Sequence, residues 1–449
     1  MSADEAPERH PRDHLKIELG LWDATLLVVS GVIGSGIFLT PGAIAGYLPH
    51  PGAILLAWLV GGLLSLAGAL ANAELGAMFP RAGGDYVYLR EAFHPAAGFL
   101  VGWLSFFVIY AGTIATLAAG FAAGLDHFVA LGPGGELAVA IALTLAVSAL
   151  NYIGVRWGAR ANNVTAVAKI GALAAFALLG PVLGKGSPSN LRPLVTGMEG
   201  LSLVAFGLAL SPVLFSYLGW NSSVYVASEI RHPGRNVPRS LFLGVGICTV
   251  IYLLVNAVYL YAIPVEALRE TPNAGEAAAR ALFGPASGTL LALFVLASIL
   301  GTLNATVLVG PRIAYAMALD RLFFAGVDRA HAVYRTPGVA IVVQAAVATA
   351  ILLLLGSFER ALSYTTFAIL LATIADVLAL FRLRRIRPRQ PRPYRAWGYP
   401  LVPALYLAAN AAVAVALLAG RPRECAIGLA MALAGLPFYF AFAARERRR

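Results

Sequence analysis

The chain has 449 residues, of which 59% are hydrophobic and only 12% charged, with a mean hydropathy of +0.77. A soluble domain carries about 25% charged residues, so this composition excludes the soluble globular class and indicates an all-α integral membrane protein. The net charge of +11 is the kind of excess that nucleic-acid binders carry, but its distribution along the chain follows a membrane pattern instead.

The apolar residues fall into twelve runs, about 21–47, 52–79, 95–125, 136–154, 163–184, 201–228, 240–262, 286–319, 338–356, 361–381, 400–419 and 425–444. Most are near the ~20 residues that cross a hydrocarbon core as a helix. Residues 1–18 are polar and lack the apolar core of a cleavable signal peptide. They read as a disordered cytoplasmic arm. With the N-terminus inside, 25 of the 33 Lys and Arg residues fall in inner segments and seven in outer ones. The inner set includes seven arginines between Arg382 and Arg395 and four from Arg445 to Arg449. This is the positive-inside asymmetry, and it puts both termini in the cytoplasm of a cell-membrane protein. The one remaining cation, Lys169, lies within a run.

The first run holds Gly31-Val-Ile-Gly34-Ser35-Gly36-Ile-Phe38. Three glycines and a serine sit where a spanning helix should be most regular. Glycine weakens a helix, and bare backbone groups at membrane depth are tolerated only beside a cavity or other protein. A helix broken here would present free N–H groups to an anion such as a carboxylate. The same glycines would equally serve close helix packing. After the second run, Pro80 and Gly83-Gly84 stop the helix, and Asp85 and Glu91 are placed to pair with Arg81 and Arg90 in a charged turn. Trp103, Tyr110 and Thr113 in the third run and Asn151 in the fourth read mostly as packing residues. Lys169 is only ~10 Å of helical rise from Asn162, still within hydrocarbon. A charge there costs several kcal/mol unless solvated or paired, so either it serves the mechanism or it snorkels to the inner face.

The sixth run repeats the anomaly of the first. Ser211-Pro212 kinks or starts it, and Phe215-Ser-Tyr-Leu-Gly-Trp-Asn-Ser-Ser223 interrupts it with polar and flexible residues. Asn221, Ser222 and Ser223 are suited to capping or to bonding freed backbone. Interrupted runs at corresponding positions, each followed by four further helices, indicate an inverted-repeat transporter. Cys248 and Cys425 lie within runs, as small buried residues. The seven histidines, His127 among them, lie in tails, loops or run ends. No His, Cys, Asp or Glu cluster has metal-ligand spacing. Gly180-Pro-Val-Leu-Gly-Lys-Gly lacks the spacing and Ser/Thr of a phosphate-binding loop. These patterns argue against an ATP-driven pump or an intramembrane metalloenzyme, and no cofactor is expected.

Together, Ile33–Phe38, Pro80–Tyr88, Phe215–Trp220 and Glu229–Arg239 resemble the amino acid–polyamine–organocation (APC) transporters, in particular the L-type amino-acid transporters and their bacterial relatives. The resemblance covers about residues 18–385. It implies the LeuT-type fold, a 5+5 inverted repeat of twelve transmembrane helices with helices 1 and 6 broken. The corresponding units are a cytoplasmic tail 1–18, a first repeat 19–186, an inverted second repeat 197–383, an Arg/Pro-rich cytoplasmic linker 384–399, and two peripheral helices with a basic tail, 400–449. It also implies that the amides of Ser35 and Gly36 and the Ser35 hydroxyl hold a substrate carboxylate, that the carbonyls of Ile33 and Phe215 accept from the α-ammonium, and that Gly34 belongs to the same substrate-binding stretch. The Phe215 ring would be an outer gate. Ser216, Tyr217, Leu218, Gly219 and Trp220, with Tyr110 and Asn304, would shape the pocket. Lys169 matches the lysine that stands near a sodium position of sodium-coupled relatives.

Departures from the family pattern are Leu218 for a small residue, Asn304-Ala305 for Asn-Gly, and Arg321-Leu322 for a Gly-containing segment. The loop from Leu125 to Glu136 has no cysteine to link a glycoprotein subunit, so no covalent heavy subunit is expected. The resulting expectation is an alternating-access transporter, not an enzyme, for neutral L-amino acids, the candidate pocket residues including no carboxylate and no cation. It is expected to be sodium-independent and an exchanger. Proton-coupled symport, with Lys169 releasing a proton in each cycle, is the alternative, and a non-transporting amino-acid sensor is the reading from another class. A channel is disfavoured because no polar stripe runs the length of a run.

Overall fold

A computed structural model describes residues 10–449 except 127, 195–196, 198–201, 356–357, 421 and 448–449. Arg9, His127, Arg421, Arg448 and Arg449 therefore lie outside the described residues. Among the described residues the chain is helical, and its one β-bridge joins Leu19 to Ile230.

The first run forms two helices, α1 (Leu21–Val32) and α2 (Gly36–Tyr47), bent by 45°. Asp23 in the first turn of α1 accepts from the Gly20 amide at 2.7 Å, which fixes where the helix starts. Then follow α3 (Pro51–Met78), the short α4 (Asp85–Ala92) and α5 (Pro95–Asp126), which contains a π-helical segment, Ser105–Tyr110. α6 (Gly132–Tyr152) and α7 (Val155–Leu183) complete the first half. His50 and Pro51 open α3 as helix-start chemistry predicts, with the His50 ring accepting from the Ala53 amide at 3.3 Å.

In the second half, α8 (Leu203–Tyr217) runs through Pro212 and is capped by the Ser202 hydroxyl. It gives way at Leu218 to α9 (Ser222–Tyr225), a single turn. α10 (Pro233–Ala262), α11 (Val265–Arg269), α12 (Ala274–Phe283), α13 (Pro285–Leu319), α14 (Gly338–Leu355), α15 (Phe358–Ile386) and α16 (Leu401–Gly420) follow. Two short helices, α17 (Pro422–Leu433) and α18 (Leu436–Arg447), end the chain. All twelve apolar runs are mainly helical. Among the described residues, eight helices are long and apolar enough to cross a membrane, and the bent α1–α2 pair makes nine. This is a multi-pass membrane protein.

α1 lies in a trough between α10, α7 and α13, and α2 packs on α8. The interrupted elements are thus both held at the centre of the bundle by long, regular helices. The expectation of a disordered N-terminal arm is corrected over residues 10–18. Leu15 is buried, the Tyr315 hydroxyl accepts from the His14 amide at 3.1 Å, and Arg231 donates its amide to the Leu19 carbonyl at 2.9 Å. The apolar Leu15 and Leu19 give this polar-looking segment a face to bury.

Candidate functional site

The glycines of the two interruptions face each other. A Cβ on Gly31 would fall 2.8 Å from the Gly219 carbonyl oxygen, and one on Gly219 would fall 2.6 Å from the Gly31 carbonyl oxygen. Gly219 has φ +98°, the region where glycine bears no steric penalty. At α2, a Cβ on Gly36 would meet the Ser216 Oγ and Cα at 2.8 and 2.9 Å. The packing role of these glycines and the break in the helix therefore coexist.

The carbonyls freed where α1 ends are met by side chains. Lys169 Nζ, 1% exposed, donates to the Ile33 carbonyl at 2.6 Å, to Thr302 Oγ1 at 2.8 Å and to the Ser30 carbonyl at 3.4 Å. The Ser298 hydroxyl also reaches the Ile33 carbonyl, at 3.3 Å. No carboxylate forms an ion pair with Lys169 among the described residues. Its charge is solvated by carbonyl dipoles at a helix C-terminus, the end of a helix that favours a cation. The Tyr252 hydroxyl lies 2.9 Å from the Val32 carbonyl and 3.0 Å from the Ser216 carbonyl, so its single proton serves the end of α1 or of α8. Ser222 Oγ donates to the Gly219 carbonyl at 2.6 Å.

Between the interruptions lies a cavity of about 160 Å³, room for on the order of ten waters at ~10–15 Å³ each. Gly34, Ser35, Gly36, Tyr110, Phe215, Ser216, Leu218 and Gly219 line it, as do Gly31, Asn221 and Tyr225. Ser35 and Gly36 open α2 with no side-chain cap. The first amides of a helix have no acceptor within it, so a carboxylate in the cavity would find donors there.

Four expected site residues lie outside this wall. The Ile33 carbonyl is bound by Lys169. Tyr217 is buried and donates its hydroxyl to the Trp58 carbonyl at 3.1 Å. Trp220 lines a second, smaller cavity with Tyr406, Phe215 and Leu218. Asn304 ties α13 to its neighbours, donating to the Gly158 carbonyl and accepting from Asn151, both at 2.9 Å. The Phe215 carbonyl accepts the Leu218 amide at 3.1 Å.

The charged turn also differs from expectation. Arg90 pairs with Asp320, and Glu91 with Arg81 at 3.6 Å and Arg387 at 2.8 Å. Asp85 pairs with neither arginine. It heads α4 on the face turned inward, is 1% exposed, accepts from the Tyr225 hydroxyl at 2.5 Å and lines the cavity. The cavity thus contains a carboxyl group that the sequence-based pocket lacked. Thr302 and Thr306 were missed as well. With Ser298 they form a hydroxyl row at i, i+4 spacing, which was the available signal.

The Amino acid permease family model matches residues 19–440. The chain is 32% identical to the serine/threonine exchanger SteT of Bacillus subtilis, over 97% of this chain and 99% of that protein. It is 30% identical to the human large neutral amino acids transporter small subunit 2, covering 95% of this chain and 80% of that protein. It is also 30% identical to the human b(0,+)-type amino acid transporter 1, over 95% of this chain and 88% of that one. The chain therefore belongs to the amino acid permease family and, within the APC superfamily, is a membrane transporter of amino acids rather than an enzyme.

Proposed function

We propose that the chain is a secondary active, sodium-independent exchanger of neutral L-amino acids, working by alternating access on the LeuT-type plan. In this reading α1–α2 and α8–α9 are the broken helices 1 and 6 of twelve spans. Residues 19–186 and 197–383 are the two inverted repeats, followed by the linker 384–399 and the peripheral helices within 400–449. The Arg-rich end of the bundle and both termini face the cytoplasm, and no covalent partner subunit is needed. Ser35 and Gly36 would take the substrate carboxylate, and the ring of Phe215 would close over it.

The observation that carries the reading is Lys169. Its ammonium occupies the carbonyl cage at the end of α1, which is the chemistry a sodium ion would require. Two like charges in one site of low dielectric repel by several kcal/mol, so a resident lysine replaces the ion. The fixed charge also suits a carrier that returns loaded, since nothing dissociates from the cage between half-cycles. SteT, named an exchanger, supports that choice. Among the described residues that line the cavity, Asp85 is the one charged residue, which suits the α-ammonium common to all amino acids and leaves no second acid for a cationic side chain.

Proteoliposome uptake of radiolabelled neutral amino acids, with choline in place of sodium, tests the reading. We expect saturable uptake that requires internal amino acid. Strict sodium dependence, or saturable binding without flux, would reject it.

A further inference from the structure

Asp85 and Asp376 are both buried, at 1% and 0% exposure. Asp376 lies on α15, one turn beyond the cavity-lining Thr373. α4 packs on α15, which brings the two carboxyl groups close enough for each to act on the other's proton. The Tyr225 hydroxyl donates to Asp85 Oδ2, and Asn72 Nδ2 donates to Asp376 Oδ2 at 3.1 Å. The other oxygen of each acid, Oδ1, has no donor among the described residues. The fully buried Tyr88 hydroxyl and Asn72 Oδ1 are without a partner too.

The groups around the pair are Asn72 on α3, Tyr88 on α4, Tyr110 on α5, Tyr225 on α9 and, on α16, Tyr406. All are neutral. No lysine, arginine or histidine among the described residues forms an ion pair with either acid. Two other buried acids, Glu229 and Glu74, differ in this respect. Glu229 is held by Arg312 at 2.7 Å, and Glu74 by Arg384 and Arg392 at 2.5 and 3.1 Å.

We infer that Asp85 and Asp376 form a proton-binding site, a carboxyl–carboxylate pair that shares one proton and is joined to the substrate cavity through Tyr225. Two neighbouring carboxylates, buried with no cation paired to either, strongly disfavour ionisation of both. One proton between them supplies the donor that both Oδ1 atoms lack and leaves the pair with a single negative charge. Asp85 conveys that charge to the cavity wall, where Tyr225 and Asn221 are bonded at 3.2 Å. There it would attract a substrate ammonium. A second proton, taken up on acidification, would cancel the attraction. The site is separate from Lys169, so proton sensitivity does not require the lysine to titrate. By linkage, substrate binding must in turn oppose uptake of the second proton.

Infrared spectroscopy of the purified protein in H2O and D2O tests the shared proton directly and does not depend on the reading above. We expect, at neutral pH, an isotope-sensitive carbonyl band of a protonated carboxyl group. It should vanish in both Asp376→Asn and Asp85→Asn. No such band in the unmutated protein, or a band that persists in either variant, overturns the proton site, and the unmutated measurement stands alone if a variant does not fold. The coupling is read by substrate titration across pH. The apparent affinity of the unmutated protein should weaken severalfold on acidification, whereas in Asp376→Asn, where Asp85 faces an amide donor, it should hold to lower pH. Identical profiles would sever the pair from the cavity. If transport itself is absent, the exchanger reading fails while the infrared result still decides the proton site.

Discussion

A single ammonium group decides what can sit at the end of α1. Lys169 was legible as an anomaly because a charge deep in an apolar run has no cheap place to go. What the sequence did not reveal is its partner set, since carbonyls from residues 30 and 33 and the Thr302 hydroxyl meet it only through the fold. The snorkelling alternative does not describe this lysine, which is 1% exposed with its Nζ in the cage. Lys169→Met keeps most of the volume and removes the donor. Buried carbonyls left with fewer donors cost about 1–3 kcal/mol, so the variant should lose thermal stability in detergent, and uptake should fall by about tenfold or more, the equivalent of ~1.4 kcal/mol in barrier. Unchanged uptake kinetics would show that the ammonium is dispensable. Asp85 teaches the opposite lesson. Beside Arg81 and Arg90 it reads as half of a surface ion pair, and only the direction in which α4 presents its first turn sends it inward.

At the scale of elements, the interruptions in the first and sixth runs were readable from glycines and polar residues placed where helices should be continuous. How they engage each other was not, because it depends on backbone-to-backbone approach between residues 188 positions apart, Gly31 and Gly219. Gly219→Ala introduces a Cβ against the Gly31 carbonyl at a left-handed φ, a strain of about 1–2 kcal/mol before any clash. It should abolish uptake, while Gly171→Ala, with nothing within 4 Å, should leave uptake unchanged. Equal activity in the two variants would mean that the elements do not need this contact. Gly36→Leu should eliminate substrate binding for a related reason, since its side chain would push α2 from Ser216 as well as cover the amides. The Tyr252 hydroxyl is the second device joining the elements, and no sequence pattern marks it, because a tyrosine in an apolar helix reads as packing. Tyr252→Phe keeps the ring and should cost about 1–2 kcal/mol from the carbonyls it leaves, seen as a lower melting temperature. A melting temperature equal to the unmutated protein's would show that those carbonyls find other donors.

Across the whole molecule, the polar residues concentrate where the interrupted elements leave the bundle at its Arg-rich end. The Leu19–Ile230 bridge ties the start of α1 to the segment after α9. Glu229 and Arg312 pair beneath it. Asp320 accepts from the Tyr86 hydroxyl at 2.7 Å and pairs with Arg90, joining α4 to the end of α13. These contacts join the interrupted elements to the rest of the bundle on that side, and in the proposed alternating-access cycle they would have to open there. Charge counting predicted a basic end but not which acids it binds, since most of the pairs join residues far apart in the chain. Asp320→Asn weakens one of them. Its pair is partly exposed, with the Arg90 side chain at 30%, so solvent screens it and its loss should shift the balance by about 1 kcal/mol or less. That is enough to raise a minor open state severalfold. Ala305 lines the cavity and is a suitable reporter as Ala305→Cys, with the buried Cys248 and Cys425 replaced by alanine. A membrane-impermeant maleimide applied from the Arg-rich side should label this cysteine severalfold faster when Asp320→Asn is present. Labelling at the same rate with and without the substitution would show that the Asp320 contacts do not hold this end closed.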